Sequence, residues 1–263
     1  MVSGLNRGRG ELTGRFPPAT ICPPMNDIRR EYVSWHSERL GRKMELLLFG
    51  HAGDPVIFFP TSRGRFYQNE DFGLIGAFRD RIASGRYVVC CVDSVDEESW
   101  YNEGVSPHDR VRRHEQYEEY IVHEAVPFVR SRATRGRLAL GGCSFGGFHA
   151  VNIGLRHPKV FQKVLSMSGK FETEGFLDGY HDQRVYYHSV FQWLPNLTDK
   201  AVLDDLYKVE IILAAGDRDM CRASNERLSG ALWAKGVGNH CSIWNDADHD
   251  WPVWRLMVRE YLP

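Results

Sequence analysis

Ser144 lies in a glycine-rich segment whose spacing is typical of a nucleophilic serine. The segment GGCSFGG places Gly142 two residues before the serine and Gly146 two residues after it. A serine on a sharp turn between a strand and a helix needs small residues at both positions, because the turn brings them close together. The apolar run RLAL precedes the segment and a helical pattern follows it. The alternative is a glycine-rich packing turn, but this placement favours a nucleophile that attacks a carbonyl carbon.

A serine hydroxyl is a poor nucleophile without a neighbouring base, and His249 is the histidine best placed to act as one. In folds that present serine on such a turn, the chain order is serine, acid, histidine, and each follows a strand. His249 follows the apolar segment CSIW and precedes the last helical pattern, whereas His240 comes before that strand. The alternative is a solvent-exposed loop histidine. We predict that His249 accepts the proton of Ser144.

Two carboxylates, Asp217 and Asp219, follow the apolar run IILAAG and could orient the histidine. One should accept a hydrogen bond from the imidazole Nδ1–H and so hold the productive tautomer. The other should bind loop backbone or cap a helix. Asp217 comes where the chain is still turning out of the strand, so we favour Asp219 as the acid.

Backbone N–H groups must stabilise the negative oxygen that forms when a carbonyl is attacked. The N–H of Phe145 should lie at a helix N-terminus and face that oxygen. The second donor normally comes from the loop after an early strand, which here is FFPTSRGRF. We predict the N–H of Ser62 or Arg63, unless this loop is a plain connecting turn.

Aromatic residues between positions 171 and 207 could line a substrate pocket under a lid. The alternative is a satellite core beneath a long loop. The segment VDSVDEESWYNEG is a second candidate wall, and we choose Trp100, Tyr101 and Tyr187 as candidate substrate contacts. The acidic residues of that segment should be mostly solvated, since they lack the spacing of metal ligands.

The sequence implies no cofactor and no metal. It contains no phosphate-binding GxxxxGK[ST], no dinucleotide-binding GxGxxG and no HExxH pattern.

The positions of these residues follow from a chain that alternates between strand and helix patterns. Apolar strands (PVIFFP, YVVCCVDS, RLALGGCS, KVLSMSG, EIILAAGD) are separated by helical segments, which predicts an α/β fold with a mostly parallel sheet and helices on both faces. A ligand should bind beyond the C-terminal ends of the strands. We expect one domain over residues 25–263, with residues 1–24 as a disordered leader or an upstream-start extension.

Composition restricts the partners of the chain. It has 263 residues and a formal net charge of −1, which argues against nucleic acid or an anionic membrane as its target. No stretch approaches the roughly 18 apolar residues that cross a bilayer. Six cysteines without a CxxC pair favour a reducing cytoplasm. A small-molecule substrate is expected, and the sequence leaves open whether the chain forms homo-oligomers.

The chain resembles the putative esterase family of the α/β-hydrolase superfamily, which includes S-formylglutathione hydrolases of the esterase D type, feruloyl esterases and mycolyltransferases. The resemblance runs from about Arg29 to the C-terminus and rests on GGCSFGG, GDRD and HDWPVW. It implies Ser144, Asp219 and His249 as the catalytic triad. The loop PTSRGR departs from the consecutive glycines of many esterases, so the resemblance does not assign the oxyanion residues.

Together these features predict a serine esterase that cleaves a small ester through an acyl-serine. One alternative is an acyltransferase that hands the same acyl group to an alcohol. Another is a catalytically silent hydrolase fold that serves as a binding module.

Overall fold

The computed structural model describes residues 28–263, and in this range eight strands form one sheet in the order β1-β2-β4-β3-β5-β6-β7-β8. β1 pairs antiparallel with β2, and β2 with β4, whereas all other neighbours are parallel. The predicted α/β class with a mostly parallel sheet is therefore confirmed. The strands are β1 (Arg30–Ser37), β2 (Arg42–Phe49), β3 (Asp54–Phe59), β4 (Tyr87–Val92), β5 (Ala139–Cys143), β6 (Lys163–Met167), β7 (Glu210–Gly216) and β8 (His240–Trp244).

Successive strand residues point to opposite sides of the sheet, so a strand that is apolar throughout has two apolar faces. Helices cover both faces of this sheet. On one face Ile57 and Cys90 pack with residues of the helices between β4 and β6, and on the other Phe58 and Cys91 pack with residues of the last helix. The α-helices within residues 28–263 are α1 (Gln68–Asp71), α2 (Leu74–Ala77), α3 (Arg79–Ala83), α4 (Pro107–Tyr120), α5 (Val126–Arg132), α6 (Phe145–Arg156), α7 (Gln183–His188), α8 (Val190–Trp193), α9 (Lys200–Leu206), α10 (Arg222–Ala234) and α11 (Trp251–Tyr261).

Two of the helical segments that separate the predicted strands are interrupted. The segment from residue 68 to 83 forms α1, α2 and α3 instead of one helix. Gly73, in a left-handed conformation with φ of 74°, separates α1 from α2. Phe78, with φ of −124° and ψ of 28°, separates α2 from α3. A π-helical turn over Ile121–Ala125 separates α4 from α5, immediately before Pro127. Proline has no N–H to donate, so a wider turn at this point is the expected adjustment.

The section between residues 171 and 207 belongs partly to the core and partly to the substrate side. Phe171 and Trp193 are buried in the main core, whereas Phe176 lines the cavity next to Ser144. A small separate cluster includes Leu177 and Val185, with Phe176 and Tyr180 packed against it, so the expectations of a satellite core and of a cavity wall each hold for part of this section.

The interpretation of residues 1–24 as a leader concerns residues outside the described range. No helix within residues 28–263 has the length and apolar character needed to cross a membrane.

Candidate active site

Ser144 occupies a strained turn between β5 and α6. Its φ of 54° and ψ of −121° lie outside the conformations that a serine readily adopts. A Cβ atom on Gly142 would lie 2.2 Å from the Gly146 backbone, and one on Gly146 would lie 2.5 Å from the Pro60 carbonyl oxygen. Both glycines are therefore required sterically, as the spacing around Ser144 predicts.

His249 lies between Ser144 and Asp219 in a continuous hydrogen-bonded chain. The Ser144 hydroxyl is 3.0 Å from His249 Nε2, and His249 Nδ1 is 2.8 Å from Asp219 Oδ1. The imidazole packs edge-on against Trp254 with ring centroids 5.0 Å apart, and this tryptophan lies in α11 directly after the histidine loop. The fold thus brings together three residues that are far apart in the sequence.

The two strand-end carboxylates have different environments. Asp219 is buried, and its Oδ1 accepts the Cys221 N–H at 2.7 Å in addition to the imidazole. Asp217 accepts the N–H of Ala247 at 3.1 Å. Asp217 therefore binds the backbone of the loop that carries His249, as expected from its place next to the strand.

These contacts shift the protonation equilibria of the histidine and its partner. Burial lowers the pKa of His249, but the hydrogen bond to Asp219, the neighbouring Cys221 thiol and the Asp219 charge together raise it to about 9. Burial raises the pKa of Asp219, but its bonds to His249, Ser168 and the Cys221 N–H hold it below its ordinary value. A carboxylate facing an imidazole favours the imidazolium, which is the charge state that forms when serine loses its proton.

The N–H groups at positions 145 and 62 are free to bind a substrate oxygen. Phe145 is the first residue of α6, and neither its N–H nor that of Ser62 has an intramolecular acceptor within residues 28–263. The Ser62 hydroxyl accepts a hydrogen bond from Tyr101 at 2.8 Å.

Arg63 is not free to donate in this way. Its N–H donates to Asp96 Oδ2 at 3.0 Å. This corrects the choice of Arg63 as an oxyanion donor, because a backbone N–H that is already paired with a carboxylate cannot face the substrate.

The pairing of Asp96 with His149 was not predicted from the sequence. Asp96 is fully buried, and its Oδ1 lies 2.8 Å from Nε2 of the buried His149 in α6. Asp93 is buried as well and accepts from Arg65 at 2.8 Å. The expectation that this acidic segment is solvated is therefore wrong for both residues. Their position directly after β4, at the C-terminal edge of the sheet, is the signal that could have identified them.

A cavity of about 340 Å³ opens next to Ser144. Its aromatic wall consists of Phe145, Tyr101 and Phe176, whose ring centroids lie 5.0–5.6 Å apart. Apart from Gly175, the remaining lining residues are polar, charged or sulfur-containing: Ser62, Ser144, Lys170, Glu172, Glu174, Met220, Cys221 and His249.

Of the three candidate substrate contacts, Tyr101 alone lines this cavity. Trp100 is 1% exposed and packs behind the wall against Phe148 and His114. Tyr187 is exposed on α7 and lines a separate cleft. The choices of Trp100 and Tyr187 are thereby corrected.

The described residues include one group with the donor atoms of a metal site. Ligand atoms of Asp219, Cys221 and His249 all lie within 4.8 Å of one another.

The chain is similar to known proteins in both sequence and fold. The sequence model of the family described as "Putative esterase" matches residues 37–262. An acetyl esterase of Caldicellulosiruptor saccharolyticus is 25% identical over 170 residues, which are 57% of this chain and 64% of that enzyme. The match thus covers less than two thirds of this relative.

Solved structures of two enzymes have the same fold. A ferulic acid esterase superposes with a TM-score of 0.71 at 18% identity, covering 90% of this chain and 96% of its own. An S-formylglutathione hydrolase of Staphylococcus aureus superposes with a TM-score of 0.70 at 15% identity. The superposition covers 89% of this chain and 97% of that enzyme. At these identities the likeness concerns the fold alone.

The fold and the family match define the class: the chain has the α/β-hydrolase fold. Because the family model covers most of its length, the chain belongs to the putative esterase family.

Proposed function

We propose that this protein hydrolyses carboxylic esters through a covalent acyl-serine, with Ser144, His249 and Asp219 as its catalytic triad. The observation that carries the proposal is the unbroken chain from the Ser144 hydroxyl through both imidazole nitrogens to Asp219, at 3.0 and 2.8 Å. Separations in this range allow direct proton transfer between heavy atoms.

The first half of the reaction forms the acyl-enzyme. Ser144 Oγ attacks the ester carbonyl carbon while its proton passes to His249 Nε2. The negative oxygen of the tetrahedral intermediate accepts hydrogen bonds from the N–H groups of Phe145 and Ser62. The intermediate collapses when the bond to the alkoxy oxygen breaks, and His249 gives its proton to the departing alcohol.

The second half regenerates the serine. Water replaces the alcohol, gives a proton to His249 and attacks the acyl carbon. The carboxylic acid leaves as Ser144 recovers its proton. Asp219 stays ionised throughout and stabilises the imidazolium, a role that its low pKa supports.

The cavity supports a substrate with a short acyl or compact aryl group. Its volume is about 340 Å³, and the rings of Phe145, Tyr101 and Phe176 form an apolar wall beside the nucleophile. The related acetyl esterase of Caldicellulosiruptor saccharolyticus supports a small acyl group as well.

Rates with p-nitrophenyl esters of increasing acyl length test this function. We expect the highest kcat/KM for short acyl groups and a loss of roughly 10³-fold or more in Ser144→Ala. Equal rates for the wild type and a folded Ser144→Ala variant would contradict the proposal. Product analysis with an added alcohol separates hydrolysis from acyl transfer: we expect free acid, whereas a new ester as the main product would indicate a transferase.

We further propose a cytoplasmic location. The described cysteines are all unpaired thiols, which supports a reducing compartment. Fractionation of cells that express the protein at its natural level tests this proposal, and recovery outside the cytoplasm would contradict it.

A further inference from the structure

Cys221 places a thiol beside the imidazole of His249. The residue lies at the start of α10, two positions after Asp219, and is 4% exposed. It lines the same cavity as Ser144 and His249, so a small solute that enters the cavity can reach it. The esterase mechanism gives this thiol no task.

Sulfur, imidazole nitrogen and carboxylate oxygen are the ligands that proteins use for zinc. In a tetrahedral zinc site such ligand atoms lie about 3.3 to 3.6 Å apart, given zinc-to-ligand distances of about 2.0 to 2.3 Å. The atoms of Asp219, Cys221 and His249 lie within 4.8 Å of one another. The largest separation must therefore shorten by about 1 Å, which rotation of the cysteine and histidine side chains can provide.

We propose that Asp219, Cys221 and His249 form an inhibitory site for a thiolate-seeking divalent cation such as Zn²⁺ or Cd²⁺. The inhibition rests on the proposed esterase function, whereas the binding does not. The cavity leaves room for water as the remaining ligand. Binding expels the thiol proton to solvent, since the thiolate is the form that coordinates metals.

A metal ion in this site prevents His249 from acting as the catalytic base, whichever of the two imidazole nitrogens binds the metal. A metal on Nε2 occupies the lone pair that accepts the Ser144 proton. A metal on Nδ1 displaces the proton shared with Asp219, and the neutral imidazole then carries its proton on Nε2. In both arrangements His249 cannot accept a proton from serine, so ester hydrolysis stops until the metal leaves.

Cys241 provides a matched control. It is a half-buried thiol on β8, and it lies outside both the cavity and the three-residue group. The thiols of Cys90, Cys91 and Cys143 are fully buried in the sheet, where burial raises their pKa, so they are poor metal ligands.

Titration with CdCl₂ alone, followed by thiolate-to-cadmium ultraviolet absorption and by calorimetry, tests the site directly. We expect one equivalent to bind the wild type and Cys241→Ser with equal affinity. Cys221→Ala should bind at least about tenfold more weakly and lose the absorption band, because one of three ligands is gone. Cys221→Ser serves as a second variant should alanine disturb folding, with the same result expected.

The titration is then repeated with ester hydrolysis as the readout. Each variant is compared with its own metal-free rate, and the midpoint of inhibition should follow the binding constant of that variant. Cadmium binding that is unaltered in both Cys221 variants, or absent from the wild type, overturns the proposal. Binding through Cys221 in a protein without esterase activity supports the site and contradicts the proposed function instead, so the two failures are distinguishable.

Discussion

The buried carboxylate of Asp96 connects the two sides of the candidate oxyanion site through His149. Asp96 Oδ1 lies 2.8 Å from His149 Nε2, and Oδ2 accepts the N–H of Arg63, the residue that follows Ser62. His149 lies in α6 one turn after Phe145, and the centroids of these two rings are 5.0 Å apart. The pair therefore holds the loop after β3 in a fixed position relative to the start of α6.

We predict that Asp96→Ala impairs catalysis by releasing this loop. The substitution leaves the Arg63 N–H and His149 without their partner, so kcat should fall by about tenfold or more while KM changes little. The free energy of unfolding should fall by roughly 1–3 kcal/mol. Steady-state kinetics and urea unfolding measure both effects.

Asp96→Asn is the conservative comparison, because its amide oxygen can still accept from Arg63. We expect Asn to recover a clear part of the kcat that Ala loses. Wild-type kcat in a folded Asp96→Ala variant would show that the loop is positioned by other contacts.

The two strand-end carboxylates provide a matched pair of variants. Asp219→Asn should lower kcat by roughly 10²- to 10⁴-fold, because the amide favours the wrong tautomer of His249. Asp217→Asn should lower kcat by less than about tenfold. Asp217 accepts a hydrogen bond from the Ala247 N–H, and an amide oxygen can still accept that bond. A larger loss in Asp217→Asn than in Asp219→Asn would mean that the acid is misassigned.

Activity should rise with pH through the neutral range. Neutral His249 is the active form, and its pKa is raised to about 9, so kcat/KM should increase as pH rises toward that value. Asp219→Asn removes the negative partner that stabilises the imidazolium, so the pKa of His249 should fall. An NMR titration of the His249 ring in both proteins measures the shift, and an equal or higher pKa in the variant would contradict this account.

Acyl-chain selectivity should depend on the aromatic wall of the cavity. Phe176→Ala removes a ring that packs against Tyr101 and Phe145, which enlarges the space beside Ser144. The kcat/KM ratio of longer to shorter p-nitrophenyl esters should increase by about tenfold. Tyr187→Ala is the control, since Tyr187 lines a different cleft. An equal change of the ratio in both variants would show that Phe176 is not part of the acyl site.

Residues in regular elements were far more predictable from sequence than those in irregular segments. The steric need for Gly142 and Gly146 follows from turn geometry, and it agrees with the structure. The burial of strands such as PVIFFP follows from their apolar pattern, and it agrees with the structure as well. Ser144, Asp219 and His249 follow strand ends, and parallel strands place such residues at one edge of the sheet. For this reason their proximity could be anticipated.

The direction of a side chain in a segment without periodicity could not be anticipated. Trp100 and Tyr101 are adjacent in the sequence, yet one is buried behind the cavity wall and the other lines the cavity. The burial of Asp96 depends on His149, which is 53 residues away, and no local pattern contains that information. Arg63 was misassigned for the same reason, because the acceptor of its N–H is a long-range partner.

Covalent labelling at Ser144 tests the central claim most directly. A fluorophosphonate reacts preferentially with an activated serine, and peptide mass spectrometry identifies the modified residue. The account predicts stoichiometric labelling of the peptide that contains Ser144, slower labelling in Asp219→Asn, and none in a folded Ser144→Ala variant. A wild-type protein that stays unlabelled, or a label on another serine that persists in Ser144→Ala, would contradict it.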